Sequence, residues 1–125
     1  MRTAAILAAL VVLTGASAAA AAPFSCPATL DAGGQPHKFK YVSFFDGDPA
    51  DLADLAPDDR STSPKLDQTW RFERQQGRPI VMVCRYHGTQ ETVRKDVPAS
   101  IKECRLEGTI DDKGEIQGSP KLTCK

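Results

Sequence analysis

The chain has 125 residues with 16 basic and 16 acidic side chains, a formal net charge of zero. No basic stripe exists to draw nucleic acid or anionic lipid, and the length suits a single domain.

The first residues point to export. Met1-Arg2-Thr3 is a short basic start, Ala4 to Leu13 is unbroken and apolar, and Ala16-Ser17-Ala18 leads into an alanine tract ending at Ala22. Charge, apolar core and a small-x-small site in that order predict a secretory signal peptide over 1–22 and a mature domain over 23–125, with cleavage after Ala18, Ala20 or Ala22. The apolar run is far short of the about 20 residues a membrane-crossing helix needs, so no span is expected once the signal is removed. Lipid attachment at Cys26 is not expected, because Pro23-Phe24-Ser25 precedes it and Leu13 lies far upstream. Without Arg2 the net charge becomes −1, and the apolar share falls from 41% to about a third. A domain of this size and modest apolar content gains from covalent staples.

Cys26, Cys84, Cys104 and Cys124 all lie in the mature part. An even number in an exported chain predicts a disulfide framework. A zinc site is not expected: no two cysteines are closer than 20 residues, and neither His37 nor His87 stands at ligand spacing from one.

Phe24 to Leu30 reads as a short N-terminal segment, ended by Asp31-Ala32-Gly33-Gly34. Lys38 to Phe45 reads as a strand, with Phe39 and Tyr41 alternating with Lys38 and Lys40 and an end that is apolar on both faces. Asp46-Gly47 breaks it. Asp48 to Pro57 predicts a helix of two turns. Asp48 is a capping residue, Pro49 suits the first helical position, Asp51 favours the dipole, and Leu52 and Leu55 share a face. So short a helix must dock on a sheet. Asp58 to Lys65 is polar and predicts an exposed loop.

The second half patterns as a β-meander. Thr69 to Arg74 alternates with Trp70 and Phe72 inward, and Gln75 to Arg78 turns. Ile80 to Tyr86 is apolar on both faces, which predicts a central strand. His87-Gly88 predicts a tight hairpin, and charged Thr89 to Val97 an edge strand that resists aggregation. Two final strands flank Asp111-Asp112-Lys113-Gly114. If Asp112 pairs with Ile116, Cys104 stands opposite Cys124, whereas a two-residue slip makes the pair diagonal and hard to bridge. That register favours Cys104–Cys124 and leaves Cys26–Cys84, with the other two connectivities open. The expected fold class is mainly β, α+β by one short helix: an antiparallel meander or small sandwich or barrel stapled by two disulfides.

Phe24-Ser25-Cys26-Pro27, Phe44-Phe45-Asp46-Gly47, Leu55-Ala56-Pro57, Thr69-Trp70, Arg78-Pro79-Ile80, Cys84-Arg85-Tyr86-His87-Gly88-Thr89, Val97-Pro98 with Cys104, and Cys124 follow in an order that spans nearly the whole mature chain. In these features the sequence resembles a family of short uncharacterised periplasmic proteins of Gram-negative bacteria. The resemblance implies a periplasmic domain with the same four cysteines. It implies no activity and no catalytic residues.

Other chemistry reads weakly. Asp46-Gly47-Asp48 with Asp51 lacks the alternating ligands and terminal Glu of a calcium loop, and a turn with a helix cap explains it. Ser61 and Ser63 have no strand-to-helix Gly-x-Ser-x-Gly elbow. His87 reads as an exposed turn residue and His37 as loop. Asp58-Asp59-Arg60 and Asp111-Asp112-Lys113 are mixed-charge loop tips, and function on a rigid β scaffold tends to lie in loops. These acids are the candidate contacts with another protein.

The sequence therefore predicts a non-enzymatic periplasmic envelope protein with a binding or accessory role and no cofactor. The alternative is an inhibitor of host lysozyme acting through an exposed loop, an analogy of architecture. A small hydrolase is the least supported class.

Overall fold

The structure, a computed structural model, describes residues 23–74 and 78–125, together with Val12 and Gly15. The rest of the expected leader over 1–22, and residues 75–77 of the expected turn from Gln75 to Arg78, lie outside the described residues. Among the described residues eight strands run in chain order: β1 (Thr29–Ala32), β2 (Gln35–Asp46), β3 (Asp58–Asp59), β4 (Lys65–Arg71), β5 (Ile80–Tyr86), β6 (Thr92–Asp96), β7 (Glu103–Ile110) and β8 (Ile116–Cys124). They form two antiparallel four-stranded sheets, ordered β1-β2-β5-β6 and β3-β4-β7-β8. Each sheet turns an apolar face to the other. Phe39, Val42, Phe44, Ile80, Met82, Cys84 and Tyr86 come from the first sheet. Leu66, Trp70, Cys104, Leu106 and Ile110 come from the second, and Phe72 and Val97 join them. Phe44 stands at the centre, its ring 5.0 Å from both Trp70 and Phe72. The Trp70 indole N–H reaches the Leu55 carbonyl at 3.0 Å, so this large side chain is buried with its polar atom satisfied.

β2 begins earlier than expected. Gly33 and Gly34, both at positive φ, turn β1 directly into it, so Asp31 to Gly34 is a hairpin rather than a terminator. His37 is consequently a strand residue, not loop. Its Nδ1 lies 2.6 Å from the His87 carbonyl and its Nε2 3.1 Å from the Ala32 carbonyl. His87 is half-buried, with Nε2 2.6 Å from the Gly118 carbonyl. The two imidazoles tie the β1–β2 hairpin, the β5–β6 connection and β8 together.

A register shift on β2 explains its two apolar faces. Phe39 pairs with Tyr86 but Tyr41 with Arg85, so one extra residue enters between them. Inserting one residue exchanges the faces. Phe39 faces the core before the bulge, and Val42 and Phe44 after it. Phe45 is left on the reverse face with Val81 and Val83, as a second small cluster. Arg94, opposite Val83 in β6, meets Asp48 at 3.6 Å, which brings the loop after β2 to this reverse face.

That loop is not the expected two-turn helix. Asp48 caps as anticipated, accepting from the Ala50 N–H at 3.0 Å, but only Pro49–Asp51 winds, as a single 3-10 turn. The edge of β2 takes the backbone groups a longer helix would use. The Asp46 N–H donates to the Ala53 carbonyl at 3.0 Å, and the Leu55 N–H donates to the Phe44 carbonyl at 2.8 Å. Leu55 packs against the core while Leu52 stays out.

Both disulfides join the favoured partners, Cys26–Cys84 and Cys104–Cys124. The hairpin that carries the second differs from its expected register. Near the turn Ile110 pairs with Ile116 and Thr109 with Gln117, so Asp112 is not opposite Ile116. Between the Thr109–Gln117 and Glu107–Lys121 pairs β7 retreats two residues while β8 advances four. The surplus lies in Gly118-Ser119-Pro120, with Gly118 at φ +64°. This bulge restores Cys104 opposite Cys124. A β-carbon on Gly108 would stand 3.0 Å from Pro120 Cβ, so a side chain there would press the proline back by a few tenths of an ångström.

Candidate functional site

The outer face of the second sheet is built by alternation. Leu66 and Trp70, Cys104 and Leu106, and Leu122 and Cys124 point inward. The residues between them therefore point to solvent. Pairing aligns these outward residues in three rows: Asp67, Glu107 and Lys121; Thr69, Arg105 and Thr123; Arg71, Glu103 and Lys125. Asp58 and Arg60 extend the grid beyond β4. Together they line a shallow groove of about 530 Å³.

Arg105 is the hub. Its Nε and Nη2 donate to the two carboxylate oxygens of Asp67 at 2.9 and 3.0 Å, and Glu107 lies 3.7 Å from Nε. These charge-assisted bonds hold the Asp67 carboxyl below the usual aspartate range and raise the Arg105 guanidinium further. Arg71 bridges Asp58 at 3.6 Å and Glu103 at 3.7 Å, and Lys125 meets Glu103 at 3.0 Å. The face presents both signs of charge in two ion-pair groups, Asp67–Arg105–Glu107 and Asp58–Arg71–Glu103–Lys125.

The two acid pairs named from sequence fall on this sheet. Asp58 and Asp59 are not a free loop tip. They form the short edge strand β3 against Thr69 and Gln68. Asp58 enters the groove. Asp59 accepts from the Ser61 N–H at 3.0 Å and from Gln68 Nε2 at 3.1 Å. Hydrogen bonds from Ser61, aided by Gln68, hold its carboxyl below the ordinary range. Asp111 is occupied by its own turn, accepting from the N–H groups of Lys113 and Glu115 at 2.9 Å each. Asp112 stays exposed and accepts from the Ser63 hydroxyl at 3.4 Å. The Ser61–Pro64 turn thus links the two pairs along one end of the sheet.

Arg71, Glu103, Arg105, Glu107, Lys121 and Lys125 are absent from the sequence-based candidates. Their signal was present in the outward parity of three strands, but only the register across β4, β7 and β8 converts that parity into a face.

A second cleft, of about 550 Å³, separates Tyr41 and Arg85 from Gly114-Glu115-Ile116. Burial raises the Tyr41 hydroxyl above the usual phenol range, helped by Asp54 and Asp59, and the hydroxyl donates to Gln68 at 3.3 Å. Among the described residues no helix is long and apolar enough to cross a membrane.

A family profile described as "Type VI secretion system Tli immunity protein" matches residues 34–125. The chain belongs to this family. The match begins after β1, takes in β2 to β8 and includes the whole charged grid. A protein of Azospirillum brasilense described as an uncharacterized 16.3 kDa protein in the trpG 5′ region is 29% identical over 136 aligned positions, covering 92% of this chain and 91% of the relative. No solved structure matches. The family shares with the sequence-based resemblance a short bacterial protein, and it adds a role that the resemblance lacked.

Proposed function

We propose that this chain is an exported immunity protein that protects its cell by binding and neutralising a protein delivered by a type VI secretion system. The family match over residues 34–125 carries the reading. The stapled sandwich supports it, because a rigid binder loses little conformational freedom on association. Two disulfides fit an oxidising compartment, and the leader pattern over 1–22 fits delivery to the periplasm. The binding or accessory role read from sequence is thereby narrowed to one class of partner. The lysozyme alternative shares its mode of action, occlusion of another protein by a small β domain, but the family description names a different route of arrival.

Docking engages the charged face of the second sheet, with Asp58 and Asp59 at its edge and Asp112 at its end. Charges held in fixed positions give register and encounter rate more than affinity.

The test is survival. Cells lacking the gene should be killed on contact with their own wild-type siblings and rescued by the full chain. A version without residues 2–22 should not rescue them. Survival of the unprotected cells would refute the reading. Charge reversal at Asp58 and Asp59 together should weaken rescue while leaving the fold intact.

A further inference from the structure

The charged face lacks what a tight interface usually centres on, a buried apolar anchor. Such an anchor is presented elsewhere. Within residues 23–125, Leu52 is the one large hydrophobic residue that is strongly exposed among the described residues, at 82%. It is also their one non-glycine residue at positive φ, with φ 58° and ψ 27°. A bulky side chain in the left-handed region is sterically disfavoured, and glycine or asparagine would occupy it more cheaply. Leucine here loses on both counts, as it neither packs nor eases the turn. Backbone strain persists where the surroundings over-determine it, and it concentrates at functional sites.

The surroundings do over-determine it. Below the tip, the Asp46 N–H donates to the Ala53 carbonyl and the Leu55 N–H to the Phe44 carbonyl. Within it, the Leu52 N–H donates to the Pro49 carbonyl at 3.1 Å and Asp48 caps the Ala50 N–H. From the side, Arg94 holds Asp48. The loop is a short, fixed prong rather than a strap, with the exposed carboxylates Asp48, Asp51 and Asp54 around its apolar tip.

The prong is continuous with the charged face. Leu55 and Ala56 share a small groove with Arg71, which also belongs to the grid. Leu52 and Asp58 are six residues apart, at most about 22 Å of extended chain. A standard interface buries about 800 Å² on each partner, wide enough to include both.

We infer that Leu52 is the anchor by which this chain engages its delivered partner protein, entering an apolar pocket whose rim carries basic side chains. The inference rests on the immunity reading and names the contact that reading requires. The carboxylates select the basic rim, and the fixed loop delivers the leucine without ordering cost.

The experiment uses cells lacking the gene, challenged by wild-type siblings and complemented with the full-length wild-type chain, Leu52→Gly or Leu52→Asn. Thermal unfolding of each purified mature protein runs alongside. Wild type should rescue, and both variants should lower survival at least tenfold at equal periplasmic level. The melting temperature of both should be unchanged or higher, because glycine and asparagine relieve the left-handed strain. Rescue by either variant at the wild-type level would overturn the anchor while leaving the immunity reading intact. A lower melting temperature for Leu52→Gly would show a structural leucine and would also overturn it. If uncomplemented cells survive, the immunity reading itself falls, and this inference with it.

Discussion

Removing the two disulfides separately should cost unequal amounts, and the structure gives the order. Cys26 and Cys84 are 58 residues apart in sequence, and Cys104 and Cys124 are 20 apart. Treated as loop closure in the unfolded chain, these separations correspond to about 4.2 and about 3.3 kcal/mol at 25 °C. Native contacts widen the gap in the same direction. Without its bridge, the segment before β1 keeps the Tyr86 hydroxyl to the Pro27 carbonyl at 2.8 Å, the Phe39 N–H to the Ala28 carbonyl at 3.0 Å and a 3.4 Å contact from Ser25 to the Leu122 carbonyl. Without its bridge, the β7–β8 hairpin keeps a ladder from Cys104 to Ile110. The assay is urea unfolding of Cys26→Ala/Cys84→Ala and Cys104→Ala/Cys124→Ala, followed by the fluorescence of Trp70, the single tryptophan, packed against Phe44. The first variant should lose about 1 kcal/mol more than the second, about 4–8 °C in melting temperature for a domain of this size. The denaturant slope should rise in both, because the unfolded chain is freed to expand. Equal losses, or a larger loss from the short loop, would refute the reasoning.

Three further outcomes follow from the packing and the charges. Phe44→Ala removes a fully buried ring between Trp70 and Phe72 and should cost about 3–5 kcal/mol, much of the stability of a small domain, read from the urea midpoint. Gly108→Val places a branched side chain against Pro120 and should destabilise by about 1–3 kcal/mol through overpacking of the bulge, with the proline shifted in a crystal structure of the variant. The Asp67 carboxyl is lower folded than unfolded, so its contribution is present above the unfolded value near 3.8 and is lost as pH falls through the folded one. Asp67→Asn should therefore unfold with a shallower pH dependence below about pH 4 than wild type, measured by circular dichroism across an acid titration.

Much of this fold was legible in the sequence, because burial patterns are local. Ile80 to Tyr86 reads as a central strand since both its faces are apolar, and it lies between β2 and β6. Trp70 and Phe72 point inward as their alternation requires, and charged β6 is an edge. Cap chemistry is equally local, and Asp48 accepts the hydrogen bond its position predicts. The cysteine pairing was also within reach, although through a register that holds only beyond the Gly118–Pro120 bulge.

What the sequence could not decide depends on which elements meet. Asp48 to Pro57 carries every local sign of a helix, yet the edge of β2 competes for the same backbone groups at Ala53 and Leu55 and stops it after one turn. The bulge between Phe39 and Tyr41 is invisible in a run where both faces are apolar, since either register buries something. Single charges at alternate positions in β4, β7 and β8 look like ordinary solvated residues, and only lateral pairing gathers them around Arg105. Leu52 shows the division most clearly. By spacing it belongs with Leu55 on a buried face, and only the tertiary contest between helix and sheet edge turns it out into solvent, because a chain cannot give one set of backbone hydrogen bonds to both.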